Sequence, residues 1–208
     1  MKERELGMRF GFLLLSILSI PALAQDLRPI EIYTQDELLS WIQKNTHLTR
    51  VVEDDCQLVQ DIKDRAVKVS QPAYQFLWGD MLAYGVCVDK NVQLGVYYMR
   101  QAADQGLPEG LEQMGRYYHI GRFVQPNINQ AIIYLREAAA LGNLNAQLRL
   151  VELFCNGYGS PYDYEDAYHQ LFHAVIGDKE KHKKAGELLA KLAKRMPDHV
   201  VTRAQKPR

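Results

Sequence analysis

The chain has no excess of charge of either sign, because 25 lysines and arginines are balanced by 25 aspartates and glutamates. Proteins that bind nucleic acid in bulk carry a basic surplus, so this balance argues against that class. Beyond residue 24 the sequence also has no apolar run near the roughly 20 residues that a membrane-spanning helix requires. We therefore expect no membrane anchor in that part of the chain.

The motifs of catalysis are missing as well. No glycine-rich loop of the phosphate-binding type is present. The stretch GYGSPYDYEDA, which begins at Gly157, contains glycine and serine but follows no strand, so it is not a nucleophile elbow. His169 and His173 have the i, i+4 spacing of zinc ligands, but Gln170 occupies the position where a hydrolase needs a glutamate base. We predict that the protein is not an enzyme and holds no cofactor.

Two patterns in the sequence have both a metal-binding and a structural interpretation. His169 and His173 are either a pair of metal ligands or two helix histidines without a metal. The carboxylates of VEDD, residues 52–55, suit either calcium or the N-terminus of a helix, where negative charge is favourable. We favour the plainer interpretation of both and predict no metal site.

The first 24 residues predict a secretory signal that is removed on export. Lys2, Arg4 and Arg9 precede the apolar stretch FGFLLLSILSI, and Pro21 is followed by the small residues of a cleavage site, Ala-Leu-Ala. We expect the mature chain to begin near Gln25, outside the cytoplasm.

The chain repeats itself with a period of 36 residues, since Gly85 falls on Gly121 and then on Gly157 when the sequence is shifted. Each unit has two apolar stripes of helical spacing, and such glycines end a helix in a left-handed turn. One helix pair cannot bury its apolar face alone, so the pairs stack. The predicted fold class is all-α, an α-solenoid of helix-turn-helix repeats with units at 71–107, 108–143 and 144–177.

The flanking segments fit the ends of this stack. TQDELLSWIQKN, opened by a capping box of Thr34 and Glu37, and the segment 54–69 predict the two helices of a degenerate unit within residues 25–70, after an extended arm. The buried stripe of 54–69 is predicted as Cys56, Val59, Ile62, Ala66 and Val69. Residues 179–208 predict a capping helix and tail, with ten basic residues that suit a solvated face or contact with an anionic surface.

The pattern Gly…Tyr…Gly…Ala…Tyr-x-x-Ala-Ala-x-x-Gly over Gln71–Gly177 resembles the Sel1 subclass of tetratricopeptide-like repeats, although Val151 and Val175 depart from it. The whole chain resembles a family of periplasmic proteins of the sodium-driven polar flagellar motor. The signal, the segment CQLVQDIKDRA at Cys56–Ala66, the three units and the basic end follow in the same order. CQLVQDI is the more discriminating piece, because it is not part of the general Sel1 pattern.

This resemblance implies a non-enzymatic periplasmic scaffold in a ring around the flagellar basal body. Its implied partners are a ring protein of the MotY type and the periplasmic region of the stator's B subunit, so that stators are held against the rotor and generate torque. The alternatives are a general secreted Sel1 adaptor, which regulates an envelope enzyme or binds cell-wall fragments, and a weak peptidoglycan hydrolase.

In an oxidising compartment two of the three cysteines can form a disulfide, and the third is then unpaired. Cys56 and Cys87 belong to adjacent units, which favours a disulfide between them and leaves Cys155 as a free thiol. Three buried thiols are the alternative.

A solenoid exposes a long curved surface, and the first helices of its pairs usually line the concave side. We predict a partner-binding face there, with an ordinary solvated face as the alternative. The predicted residues are Leu77, Asp80, Gln113, Arg116, Arg149 and Glu152.

Overall fold

The computed structural model describes residues 32–208, so the predicted signal and most of the predicted arm lie outside the described residues. Within that range the chain folds into eleven α-helices and one 3-10 turn, with no strand. The predicted all-α solenoid is confirmed. The helices are α1 (Gln35–Lys44), α2 (His47–Glu53), α3 (Val59–Val67), α4 (Pro72–Tyr84), α5 (Val92–Asp104), α6 (Pro108–Ile120), α7 (Ile128–Ala140), α8 (Leu144–Cys155), α9 (Tyr164–Phe172), α10 (Lys179–Ala193) and α11 (Asp198–Ala204), and the 3-10 turn is Pro161–Asp163.

Three helix pairs, α4/α5, α6/α7 and α8/α9, form the repeating body of the fold. Their first helices start at Pro72, Pro108 and Leu144, which are 36 residues apart. The same local chemistry recurs inside the units. Gly85 and Gly121 end α4 and α6 in the left-handed region, with φ of 75° and 71°.

Neighbouring helices approach closely because small residues lie at their contacts. A Cβ atom added to Gly95 on α5 would lie 2.6 Å from the carbonyl oxygen of Gly79 on α4. One added to Gly115 on α6 would lie 2.7 Å from Cγ of Leu135 on α7. Gly95 and Gly115 are therefore sites of close packing that have no room for a side chain.

The leading unit differs from the prediction in its second helix. Residues 54–69 do not form one helix, because Asp55 and Cys56 turn the chain with φ of 52° and 59°, and α3 begins only at Val59. The extra helix α2 precedes this turn, so the carboxylates of residues 52–55 lie at a helix C-terminal end and not at an N-terminus. Val69 lies beyond α3 and is 60% exposed.

The end of the stack also has more structure than predicted. Helix α10 buries Ala185, Leu188 and Leu192 as the cap, and the chain then forms α11, which packs on α9. In the loop of the third unit Tyr162 is 95% exposed, whereas Tyr164, the first residue of α9, is buried. Tyr162 lies in the 3-10 turn, which directs its side chain outward.

Candidate partner-binding groove

A groove of about 780 Å³ follows the first helices of the stack. Helices α6, α8 and α10 form its length, and α1 and the start of α2 close one end. The residues that line it are Ile42, Gln43, Asn45, His47, Phe76, Pro108, Glu109, Glu112, Gln113, Arg116, Leu141, Gly142, Asn143, Leu144, Asn145, Leu148, Arg149, Glu152, Lys181 and Lys184.

The groove residues occupy equivalent positions in successive units. Two rows run across α6, α8 and α10 in steps of 36 residues, and in both rows the charge changes from negative to positive. The rows are Glu109, Asn145 and Lys181, and Glu112, Leu148 and Lys184. The groove is therefore polarised along its length, with its basic end on the C-terminal cap.

The N-terminal helices cover the part of this surface that belongs to the first repeat. His47 Nε2 on α2 lies 2.8 Å from Asp80 Oδ2 on α4, and both side chains are buried. Leu77 and Asp80 are only 0% and 2% exposed. The structure corrects their prediction as surface residues, because α1 and α2 pack against α4 and occupy the place that a partner would need.

A buried hydrogen-bond network continues from Asp80 into the second unit. The Tyr117 hydroxyl lies 3.5 Å from Asp80 Oδ1, and Gln113 Nε2 donates to the Tyr117 oxygen at 2.6 Å. Arg116 donates to Gln113 Oε1. Burial, and then the negative charge of Asp80, raise the pKa of Tyr117 well above its ordinary value, so the hydroxyl keeps its proton.

Gln113 is therefore largely buried and engaged, and its prediction as an exposed contact is also corrected. Arg116, Arg149 and Glu152 do line the open groove, as the repeat register indicated. Four further groove residues were not predicted. Glu109 and Glu112 lie one helical turn before Gln113 and Arg116, and Lys181 and Lys184 lie on the capping helix α10.

The three carboxylates of the groove each have a partner within the chain. Glu109 accepts a hydrogen bond from Gln43 Nε2 at 3.0 Å. Glu112 Oε1 lies 3.5 Å from Arg149 Nε. Glu152 Oε2 lies 2.9 Å from Lys184 Nζ.

Two groove cations, like Glu109, bond to an amide group and not to an opposite charge. Arg116 bonds to the amide oxygen of Gln113, and Lys181 Nζ donates to the amide oxygen of Asn145 at 3.0 Å. Within residues 32–208 neither forms an ion pair with a carboxylate. The groove consequently presents unpaired positive charge at α6 and at α10.

The cysteines tie the N-terminal helices to the first repeat. Cys56 and Cys87 are joined in a disulfide with their Cα atoms 5.6 Å apart, which links the turn after α2 to the loop after α4. Cys155 is a half-buried free thiol at the end of α8, and burial raises its pKa. The disulfide and the buried His47–Asp80 contact both fix α2 against the first repeat, at the closed end of the groove.

His169 on α9 has a structural contact, and His173 follows the last residue of that helix. His169 Nδ1 lies 2.8 Å from the carbonyl oxygen of Ala204, so the ring meets the end of α11. The described part of the chain holds no group of three or more histidine, cysteine, aspartate or glutamate side chains arranged to bind a metal ion. Within the same range, no helix combines the length and the apolar character that crossing a membrane requires.

Comparison with known proteins first identifies the class. The family model of the Sel1 repeat matches residues 72–107, 108–143 and 144–169, which cover the pairs α4/α5 and α6/α7 and most of α8/α9. With the stacked helix pairs described above, this match defines a Sel1-repeat α-solenoid.

Sequence comparison then identifies the particular family. The sodium-type polar flagellar protein MotX of Vibrio parahaemolyticus is 52% identical over 195 residues, which cover 93% of this chain and 92% of that relative. The chain belongs to the MotX family.

Solved structures of repeat proteins resemble parts of the chain. The crystal structure of a Sel1 repeat protein from Oxalobacter formigenes has a TM-score of 0.47 and 23% identity, and covers 71% of this chain and 96% of that one. A protective antigen of uropathogenic Escherichia coli strains with an SLR fold has a TM-score of 0.49 and 18% identity, and covers 80% of this chain and 43% of that one.

Proposed function

We propose that this protein is a non-enzymatic scaffold of the sodium-driven polar flagellar motor. The observation that supports the proposal is the 52% identity to the sodium-type polar flagellar protein MotX over nearly the whole chain. A stack of Sel1 repeats suits a scaffold, because such stacks present extended surfaces for other proteins.

In this proposal the protein works in the periplasm as part of a ring around the basal body. It binds a ring protein of the MotY type and the periplasmic region of the stator's B subunit, and it thereby holds stators beside the rotor so that sodium flow produces torque. The groove along α6, α8 and α10 is the proposed contact surface, and Arg116, Arg149 and Glu152 are among the side chains that line it.

A gene deletion tests the proposal at the level of the cell. We expect deletion cells to build a polar filament and yet not swim, and a copy of the gene to restore swimming. Normal swimming in the deletion strain would contradict the motor function. A general secreted adaptor would instead give a defect of the envelope with motility intact.

A pull-down tests the partners directly. The mature chain, starting at Gln25 and carrying a C-terminal tag, is used to capture proteins from a periplasmic extract of the deletion strain. We expect a flagellar ring protein or the stator's B subunit to be retained. Retention of neither protein would contradict the proposed scaffold.

A further inference from the structure

We propose that the groove binds an extended, carboxylate-bearing segment of a partner protein, which contacts Arg116 at one end and Lys181 at the other. The inference rests on the proposed function, because it specifies the chemistry of the partner segment that occupies the groove.

Charge complementarity points to carboxylates. Glu112 and Glu152 are already paired with Arg149 and Lys184, and Glu109 bonds to the amide of Gln43, so among the described residues the groove has two cations without an ion-pair partner against one such carboxylate. The hydrogen-bond acceptors of Arg116 and Lys181 are the amide oxygens of Gln113 and Asn145. Ionised acceptors bind arginine and lysine more strongly than amides do, so a partner carboxylate would improve on both contacts.

The spacing of the two cations indicates an extended segment. Arg116 lies on α6 and Lys181 on α10, with α8 between them. Packed helices lie about 8–10 Å apart, which separates the two cations by about 20 Å. An extended chain advances ~3.3 Å per residue, so about six residues span this distance.

The walls of the groove favour a peptide over a folded surface. Helix α1 closes one end, where Gln43 bonds to Glu109, and the lining continues to Lys181 and Lys184 on α10. Leu148 lies on the floor between the two cations, and Leu141 is an exposed apolar residue at the rim. The matching segment therefore has acidic residues near both ends and an apolar residue between them.

Zero-length carbodiimide coupling tests this contact, because the reagent forms an amide only between an amine and a carboxylate that touch. It is applied to the mature chain with its captured periplasmic partner, and cross-linked peptides are identified by mass spectrometry. Lys184–Glu152 and Lys68–Asp64, at 2.9 and 2.8 Å, supply internal positive controls. We expect Lys181 to couple to an aspartate or glutamate of the partner. A complex in which the controls couple and Lys181 does not would overturn the proposal.

Charge reversal supplies a second, independent readout. We expect Lys181→Glu and Arg116→Glu each to weaken partner binding at least about tenfold, because each replaces an attraction by a repulsion. Lys183→Glu is the matched control, since Lys183 is exposed on the same helix but outside the groove. Arg116 contacts the buried Gln113, so thermal unfolding of each variant must show that it is folded. Lys181 has no buried contact and keeps the test valid if Arg116→Glu unfolds.

The outcomes separate this inference from the proposed function. If the unaltered chain captures no flagellar partner, the scaffold proposal fails and the inference fails with it. If the partner is captured and Lys181→Glu binds it as well as Lys183→Glu does, only the groove inference fails. Soluble cell-wall fragments, which also carry carboxylates, form a further arm: coupling of Lys181 to them in place of the partner would overturn a protein occupant.

Discussion

At the scale of single residues, the contact between α4 and α5 depends on the absence of a side chain at Gly95. We expect Gly95→Ala to destabilise the protein by about 1–3 kcal/mol, as overpacking of a close contact typically does. The added Cβ would lie 2.6 Å from one backbone atom and 2.7 Å from another, so no flexible side chain can move to relieve it. Urea unfolding measures the change.

Gly186 on α10 supplies the matched control for that substitution. A Cβ at Gly186 meets no atom within 4 Å, and the residue lies inside a helix. Gly186→Ala should therefore stabilise the protein by about 0.5–1 kcal/mol through the helix preference of alanine. Equal effects of the two substitutions would contradict the proposed close contact at Gly95.

His119 on α6 makes stability depend on pH. Burial, and then the Arg149 guanidinium, lower its pKa from the ordinary value of 6.5, while Glu152 opposes this. The unfolded chain therefore takes up the proton first as the pH falls. The contribution of His119 is favourable above about pH 6.5 and is lost as the pH falls through the lower folded pKa.

We expect His119→Gln, which cannot gain the proton, to lose less stability than the unaltered chain between about pH 7 and pH 5. Urea unfolding of both proteins at several pH values measures the two slopes. Parallel curves would show that His119 does not contribute to the pH dependence.

At the scale of elements, the Cys56–Cys87 disulfide holds the N-terminal helices on the first repeat. The bridge closes a sequence separation of 31 residues, and chain-entropy reasoning assigns such a loop about 3–4 kcal/mol. We expect Cys56→Ser, Cys87→Ser and the double variant to lose similar amounts, because either substitution opens the loop. Unfolding of oxidised protein measures the loss, and the reduced unaltered chain is the control. A double variant that loses twice as much as the single variants would contradict a shared bridge.

The order and period of the central helices could be predicted because both apolar stripes and their terminal glycines recur every 36 residues. Helix α2 could not, since residues 47–53 have no counterpart in that register. The 36-residue repeat predicts Leu77 and Asp80 on the open surface. It carries no information on how α1 and α2, which are distant in sequence, pack on α4 and bury both residues. One signal was available: Asp80 lies in PAYQFLWGDMLAY, a helix that is apolar almost all round, which is typical of a buried element whose charged residue needs a partner.

The groove could be predicted only in part for a related reason. The register selected the positions of Arg116, Arg149 and Glu152, which do line it. Glu112 lies four residues before Arg116 on α6 and Glu109 lies seven before it, where the same face of the helix continues. Lys181 and Lys184 continue the 36-residue spacing from Asn145 and Leu148, so this spacing was an available signal, although the basic segment was predicted only as a cap.

At the scale of the whole molecule, α10 both closes the stack and supplies Lys181 and Lys184 to the groove. Loss of the cap should therefore weaken partner binding even when the first two units stay folded. This coupling follows from the one-dimensional order of the stack, in which each unit is stabilised by its immediate neighbours.

Leu192→Ala tests whether stability is distributed unit by unit. Leu192 is fully buried where α10 meets α8 and α9, so the substitution should cost about 2–5 kcal/mol at that contact. We expect hydrogen exchange to accelerate in α8 to α11 and to stay unchanged in α3 and α4, which precede the cap by more than two repeat units. The exposed neighbour Lys191, changed to Ala, should leave exchange unaltered throughout. Equal acceleration from α3 to α11 would instead mean that the chain opens as one cooperative unit, because damage at one end would then reach the disulfide-bound unit at the other.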